Sequence, residues 1–461
     1  MKFNYITPST FLLFIIIFFI TPSGCAQKES NLLAVKQETV SVVCVQKGDK
    51  FGFLDDNGKE IIPCEFDADS SFSEGWVALK KGKNWAYYDT SGRKVLDLKK
   101  RFTYCGAFHD GVAFVSERRF EKYGSRSAWN EMLKTLQFID RKGQVIFKIE
   151  NAPTKNYQNV RTGFSNGLLK LTGKENPNSK EHRYGYLDKQ GNLQIPFKFP
   201  FKTAKVKPFS EGLASVYIID NQSNSGNSAK KYGYINQTGN WAIFPTFKYA
   251  DPFENGVAMV GEAAGVFTRY FLINPKGNLV FPPVIESYPR NIRDTLVAVF
   301  TIKRNDTGGA DSRTKRHAIA RTNGTMITDF KYRQLTAGIA TNDPWIAQLP
   351  NQKDTILLLN DQGTVITSIA AKGGKFENGL AIIKLKSADY NEAVINTQGE
   401  IVMPPDPDII RYQLDGGVIS KIEQGATAND YKISYYNKNG ELIPTAGYVL
   451  RGTYQLVNGA K

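Results

Sequence analysis

The 461 residues carry 59 Lys+Arg against 44 Asp+Glu, a formal charge of +15, with 41% hydrophobic and 12% aromatic residues. Such a composition is globular rather than disordered, and the length suggests about three domains at roughly 150 residues each. Three scattered histidines (His109, His182, His317) with no cysteine pair beside them argue against a His-based metal centre or a Ser/His/Asp triad.

Taken in chain order, the first element is the apolar run Phe11–Ile20, preceded by the single basic residue Lys2. As a helix it would span about 15 Å, half the hydrocarbon thickness of a bilayer, so it reads as the core of a secretory signal and not as a membrane span. It ends in Thr21-Pro22-Ser23-Gly24-Cys25, which resembles the lipobox of bacterial lipoproteins, with Pro22 where Leu is usual. That resemblance implies removal of residues 1–24 and lipid modification of Cys25. Ala26, in place of the Asp that favours inner-membrane retention, implies the outer membrane, and Lys28-Glu29 weakly resembles surface-export tags. Residues 25–40 are polar and read as a tether. Cys44, Cys64 and Cys105 follow; an exported chain permits one bridge among them, with Cys44 and Cys64 the first pair to consider, or three plain buried thiols.

From 41 to 461 one pattern recurs: an aromatic or apolar run, Asp/Asn-x-x-Gly, then a β-branched run. Its glycines are Gly58, Gly92, Gly143, Gly191, Gly239, Gly277, Gly324, Gly363, Gly399 and Gly440, spaced 34 to 51 residues apart. Self-similarity at that period marks a repeat architecture. Asp or Asn at the first turn position bonds its own backbone, and Gly takes the positive φ of a hairpin closing through a bulge. Arg321 is the one exception at the Asp/Asn place. One carboxylate or amide per turn is too few for a Ca²⁺ loop. A second element, Phe-x-(Glu/Asp/Asn)-Gly before an apolar strand, stands at Phe72, Phe108, Phe164, Phe209, Phe253 and Phe376. Its Phe is expected to fill the core between units. Helical periodicity is confined to 127–136. The expected fold is all-β, about ten tandem β-meander repeats in a β-propeller-like arrangement, with an open β-solenoid or superhelix as the alternative.

The two elements together resemble the WG-repeat (KWG) family. Lys50, Gly52, Phe53, Asp55, Gly58, Ile62, Pro63, Phe72, Glu74 and Gly75 carry the resemblance. Tyr184, Gly185, Asp188, Gly191, Pro196, Phe209, Glu211, Gly212 and Leu213 carry it equally. It spans 41–461, strongest in the first six units, and implies a repeat scaffold with no catalytic residues to transfer. Gly75-Trp76-Val77 with Trp85-Ala86-Tyr87-Tyr88-Asp89 also looks like the hairpins of choline-binding cell-wall repeats, which implies aromatic ligand pockets.

The longest insertions, 116–135, 172–182, 219–230, 302–315 and 421–430, all follow the Phe-x-x-Gly strand and should project from one side of the array. Arg118, Arg119, Arg126, the Trp129-Asn130 step, Lys303, Arg304, Arg313, Lys315 and Arg316 form the candidate ligand face. No G-x-S-x-G, P-loop, H-E-x-x-H or Rossmann motif is present. The expectation is a non-catalytic, lipid-anchored envelope scaffold that binds a protein partner, with no cofactor, metal or nucleic acid. An anionic-glycan or wall-binding module is the second reading, and a cryptic glycoside hydrolase the third.

Overall fold

Residues Glu38–Lys461 form one compact unit. The structure, a computed structural model, describes residues 39–457 except 56, 70–71, 118–134, 151–159, 161–162, 177, 221–228, 265–266, 283–284, 306–308, 390, 426–430 and 445–448. The expected signal segment, Cys25, the tether up to 38, Arg118, Arg119, Arg126, Trp129 and Asn130 therefore lie outside the described residues. The first strand, Thr39–Lys47, starts two residues ahead of the expected array boundary. Most of the expected helix at 127–136 also lies outside, and its end opens the strand Thr135–Ile139.

Among the described residues there are ten antiparallel sheets of three to five strands, which we number as units one to ten. Unit two shows the plan. A short inner bridge leads through the Phe72–Gly75 turn into Trp76–Lys81. A hairpin returns the chain as Asn84–Asp89, and the Asp89–Gly92 turn leads into Lys94–Lys99. The meander follows from period-two alternation interrupted by turn residues.

Each signature turn has a local cause. Asp188 shows the first: its Oδ1 accepts the N–H groups of Gln190 and Asn192 at 2.9 and 2.8 Å, while Gly191 N–H bonds the Asp188 carbonyl. The same pair of bonds recurs at Asp55, Asp89, Asp140, Asn236, Asn274, Asn360, Asn396 and Asn437. At the exception, Arg321, the side chain of Asn323 takes the Thr325 N–H instead. The second turn is a two-residue type I′ hairpin: Glu74 and Gly75 have φ of +50° and +77°. Asp110, Asn166, Glu211, Asn255 and Asn378 take the same left-handed conformation before their glycines, which suits Asp and Asn.

The Phe of the second turn packs edge-on against the aromatic ring of the preceding unit: Phe72 on Phe53 at 5.1 Å, Phe209 on Tyr186 at 4.9 Å, Phe253 on Tyr234 at 4.8 Å. Ten hydrophobic clusters result, each joining two consecutive units. The last of them joins Val418 and Ile443 of unit ten to Val43, Val45 and Leu54 of unit one. In addition, the strand Val449–Val457 pairs antiparallel with Thr39–Lys47, so the last strand among the described residues completes the sheet of the first. The order of contacts is thus cyclic, which fits the propeller-like arrangement.

Among the described residues, Cys44 and Cys105 are buried and Cys64 half-buried, and none of the three is in a disulfide. Cys44 packs into the cluster between units one and two, whereas Cys64 packs into the cluster between units one and ten. The expected Cys44–Cys64 bridge is therefore absent because the two side chains leave opposite faces of the same sheet.

Candidate binding surfaces at the two ends of the repeats

The meander sorts its connections between two ends. Each Phe-x-x-Gly turn starts a strand, and the next strand returns to the Asp/Asn-x-x-Gly turn, so both signature turns share one end. The hairpin between those strands, where the insertions fall, lies at the other end. The longest insertions thereby fall on one side of the array. Several insertions are shorter than expected, because their flanks extend strands: Leu169–Lys174, Leu213–Asp220 and Val418–Gln424 absorb part of them.

The turn end is a chain of hydrogen bonds from unit to unit. Asp110 Oδ2 accepts the Gly167 N–H at 2.6 Å, Asn166 Oδ1 that of Gly212 at 2.7 Å, and Glu211 Oε2 that of Gly256 at 2.9 Å. Ser165 and Ser210 donate to the carbonyls of Phe209 and Phe253 in the following unit. Beneath them, the hydroxyls of Tyr87, Tyr186 and Tyr234 donate to the carbonyls of Gly106, Lys207 and Asp251, each two residues before the next unit's Phe. Burial pushes all three phenols well above their ordinary range.

In the divergent units the same junction is held by groups that sequence reasoning missed. Asp343, 3% exposed, accepts the N–H groups of Ala340, Asn378 and Gly379. Arg293, 5% exposed, bonds Asp361 and the Asp343 carbonyl, and its guanidinium lies 5.1 Å over Trp345. A cleft of about 290 Å³ opens beside them, lined by Asn342, Asp343, Asn360, Asp361, Thr397 and Gln398. Its two carboxylates are already engaged by backbone N–H groups and by Arg293, so it is built for holding units together.

At the loop end, the described members of the candidate face fold onto their own hairpin. Arg304 pairs with the buried Glu286 at 2.5 Å, and Arg313 with Asp311 at 3.1 Å. Lys315 lies 3.7 Å over the Phe300 ring, and burial pushes its ammonium down. Arg316 donates to the carbonyls of Arg313 and Lys315, and the Lys303 N–H to Thr314 Oγ1. The structure thus brings Lys303, Arg304, Arg313, Lys315 and Arg316 to one hairpin, where Arg304 and Arg313 are matched by carboxylates. The aromatic-pocket expectation at unit two is corrected outright. Trp85 is 1% exposed with its Nε1–H on the Thr103 carbonyl, and Trp76 lies under Arg141 at 4.4 Å. His109, His182 and His317 fall in three different units.

A second basic group was not anticipated. Lys170, on Leu169–Lys174 of unit four, reaches unit five, where its Nζ donates to the Val206 carbonyl at 3.1 Å. Lys205 and Lys207 flank Val206 in sequence, and Lys205, paired with Tyr217, leaves the opposite face of the sheet. The signal was legible: three residues after the Phe-x-x-Gly glycine, the other copies hold Ala78, Phe114, Ser215, Met259 and Ile382.

Fold and surface together define a tandem all-β repeat protein. Four segments, 51–85, 85–118, 184–220 and 232–262, match the WG containing repeat, so the chain carries repeats of that kind within its first six units. No curated protein matches the sequence. Among solved structures, a eukaryotic initiation factor aligns at TM-score 0.43 and 10% identity, over 91% of this chain and 98% of that one. A quinonprotein alcohol dehydrogenase-like protein from Bacteroides thetaiotaomicron aligns at 0.26 and 11%, over 91% of each. A protein of unknown function from Bacteroides caccae aligns at 0.21 and 12%, over 49% of this chain and 94% of that one. Likeness at these scores carries no functional argument.

Proposed function

We propose that this is a non-catalytic scaffold of the cell envelope, exported, anchored to the outer membrane through lipid on Cys25 and exposed at the cell surface, which presents the loop end of its repeats to a protein partner. The observation that carries the reading is the asymmetry of the array. One end is a repeated hydrogen-bonded seam, and the other bears insertions of differing length and charge, the pattern of a rigid frame displaying a recognition surface. The apolar run ending at Cys25 supports the anchor, and the carboxylates engaged at the turn end support the absence of catalysis. A second reading, recognition of an anionic glycan, is favoured by the formal charge of +15.

The test pairs two variants. Cys25→Ser should move the protein from the membrane to the soluble fraction, and retention in the membrane would refute the lipid anchor. Replacing 302–315 by a two-residue turn, with Glu286→Gln to remove the charge that Arg304 neutralises, should abolish chemical cross-linking to a defined envelope protein while the circular dichroism spectrum stays that of the folded chain. Cross-linking that survives the replacement would remove that loop from the recognition surface. Turnover of a polysaccharide, abolished by one carboxylate substitution, would overturn the non-catalytic reading.

A further inference from the structure

One place in the repeat is apolar and exposed where the fold does not require it. It lies two residues after the Asp/Asn-x-x-Gly glycine, where the third strand begins. In units four and six to ten it holds Leu193, Leu279, Met326, Val365, Ile401 and Leu442, all of them exposed. Units three and five hold half-buried Val145 and Trp241, whereas units one and two hold exposed Glu60 and Lys94. Glu60, Val365 and Ile401 stand at the same cross-strand place, opposite Leu54, Leu359 and Ile395. A charged residue is accepted there, so packing within the unit does not account for the aliphatic ones. Isolated exposed aliphatics are ordinary, but a continuous patch marks an interaction surface.

Contacts between units make the patch continuous. Each of these turn glycines rests on the third strand of the unit before it. A Cβ on Gly399 would meet Thr367 Cγ2 of unit eight at 2.6 Å, and one on Gly440 the Val402 carbonyl of unit nine at 2.8 Å. One on Gly58 would meet Ile443 Cγ2 of unit ten at 2.6 Å. Val365, Ile401 and Leu442 are one or two residues from these contacts, so they follow one another from unit eight to the border of unit one. Their exposure is the highest of the series, 49%, 53% and 63%, and Ile366 beside them is 44% exposed. Glu400 and Glu441, next to Ile401 and Leu442, turn their carboxylates to the Nδ2 groups of Asn396 and Asn437 at 2.8 Å.

The occupant follows from where the described chain starts. Val42 pairs with Asp55 and Lys47 with Lys50, so Thr39 lies at the turn end of unit one, the end that borders Leu442. Cys25 precedes Thr39 by fourteen residues. A coil of that length averages about 20 Å, less than the roughly 30 Å of the strand Thr39–Lys47. A bilayer holding lipid on Cys25 is thereby nearer the turn end of units one and ten than their loop end.

We propose that Val365, Ile366, Ile401 and Leu442 form a membrane-docking patch, which settles into the headgroup layer of the bilayer that holds the anchor and turns the loop end away from it. The proposal rests on the lipid anchor at Cys25 and adds a second contact with the same surface.

The test uses the full, lipid-carrying chain in vesicles of phosphatidylethanolamine and phosphatidylglycerol whose acyl chains are brominated, and reads the fluorescence each variant adds to that of wild type. Leu442→Trp should lose its added emission to the bromolipid. Leu193→Trp, at the same place in unit four, and Arg313→Trp, at the loop end, should keep theirs. Val365→Gln with Ile401→Gln should restore the Leu442→Trp emission, with circular dichroism showing each variant folded. Equal loss at Leu193→Trp and Leu442→Trp would overturn the patch. So would loss at neither while the chain floats with the vesicles, which leaves the anchor standing. A chain that does not float would overturn both. Shielding of Leu442→Trp from acrylamide only when an envelope protein is added would assign the patch to a protein and overturn the membrane assignment.

Discussion

His317 shows how far a single residue departs from what its letter suggests. It stands in the strand Arg316–Arg321, 4% exposed, beside Phe300, its partner across the ladder. Burial, and then the charge of Lys315, push the imidazole down from 6.5 to about 4. Because the folded value lies below the unfolded one, the unfolded chain takes the proton first. Stability is therefore untouched at neutral pH, falls as pH drops through 6.5, and levels off below about 4. The histidine's share of the loss should approach about 3 kcal/mol, to be read as the difference between wild type and His317→Phe in the change of urea unfolding free energy from pH 7 to pH 4. His317→Phe should flatten that dependence; an unchanged slope would assign the acid sensitivity elsewhere. The sequence shows a histidine in a β pattern, but only its neighbours decide that it stays neutral.

At the scale of the element, the two signature turns look alike in sequence yet use glycine differently. Gly75 has φ +77° with nothing within 4 Å of where a Cβ would stand, so Gly75→Ala should cost only the left-handed penalty, about 1–2 kcal/mol. Gly92 has φ +80°, and a Cβ there would collide with the Ile61 carbonyl of unit one. Gly92→Ala should therefore cost that penalty plus about 1–3 kcal/mol more. Paired denaturant titrations check the difference, and equal costs would mean the turn does not bear on its neighbour. The positive φ was legible because turn chemistry is local. The contact was not, because it joins residues of two units. Gly52, Gly185 and Gly233 teach the same lesson. Each lies under a carbonyl of the next strand (Ile62, Ile195 and Ile243, 2.5 to 2.7 Å from where a Cβ would stand), where that strand shifts register next to Pro63, Pro196 or Pro245. The aromatic-Gly and apolar-Pro parts of the repeat are thus two sides of one bulge.

For the whole molecule, the cyclic order of contacts separates this array from an open one. Open repeats need polar caps at both ends, because each terminal unit lacks a neighbour. Here unit ten packs on unit one, and Val449–Val457 supplies the first sheet with its fourth strand. Truncation before residue 449 should lower the thermal midpoint by on the order of 5 °C and accelerate hydrogen exchange along Thr39–Lys47. Unchanged exchange there would show that closure adds nothing.

The sequence by itself determined the all-β class, the unit, its two turns and the side on which variation falls. Each of these rests on local backbone chemistry repeated six to ten times along the chain, which makes a weak signal unmistakable. Tertiary structure alone decided that the order of units closes, that Cys44 and Cys64 face apart, and that Arg304 and Arg313 are matched by carboxylates. It also set the Lys170 ammonium on the Val206 carbonyl of the next unit. These outcomes depend on which unit lies against which, and no local pattern carries that information. The surplus of positive charge was plain from composition, but where it stands uncompensated is a property of the packed units.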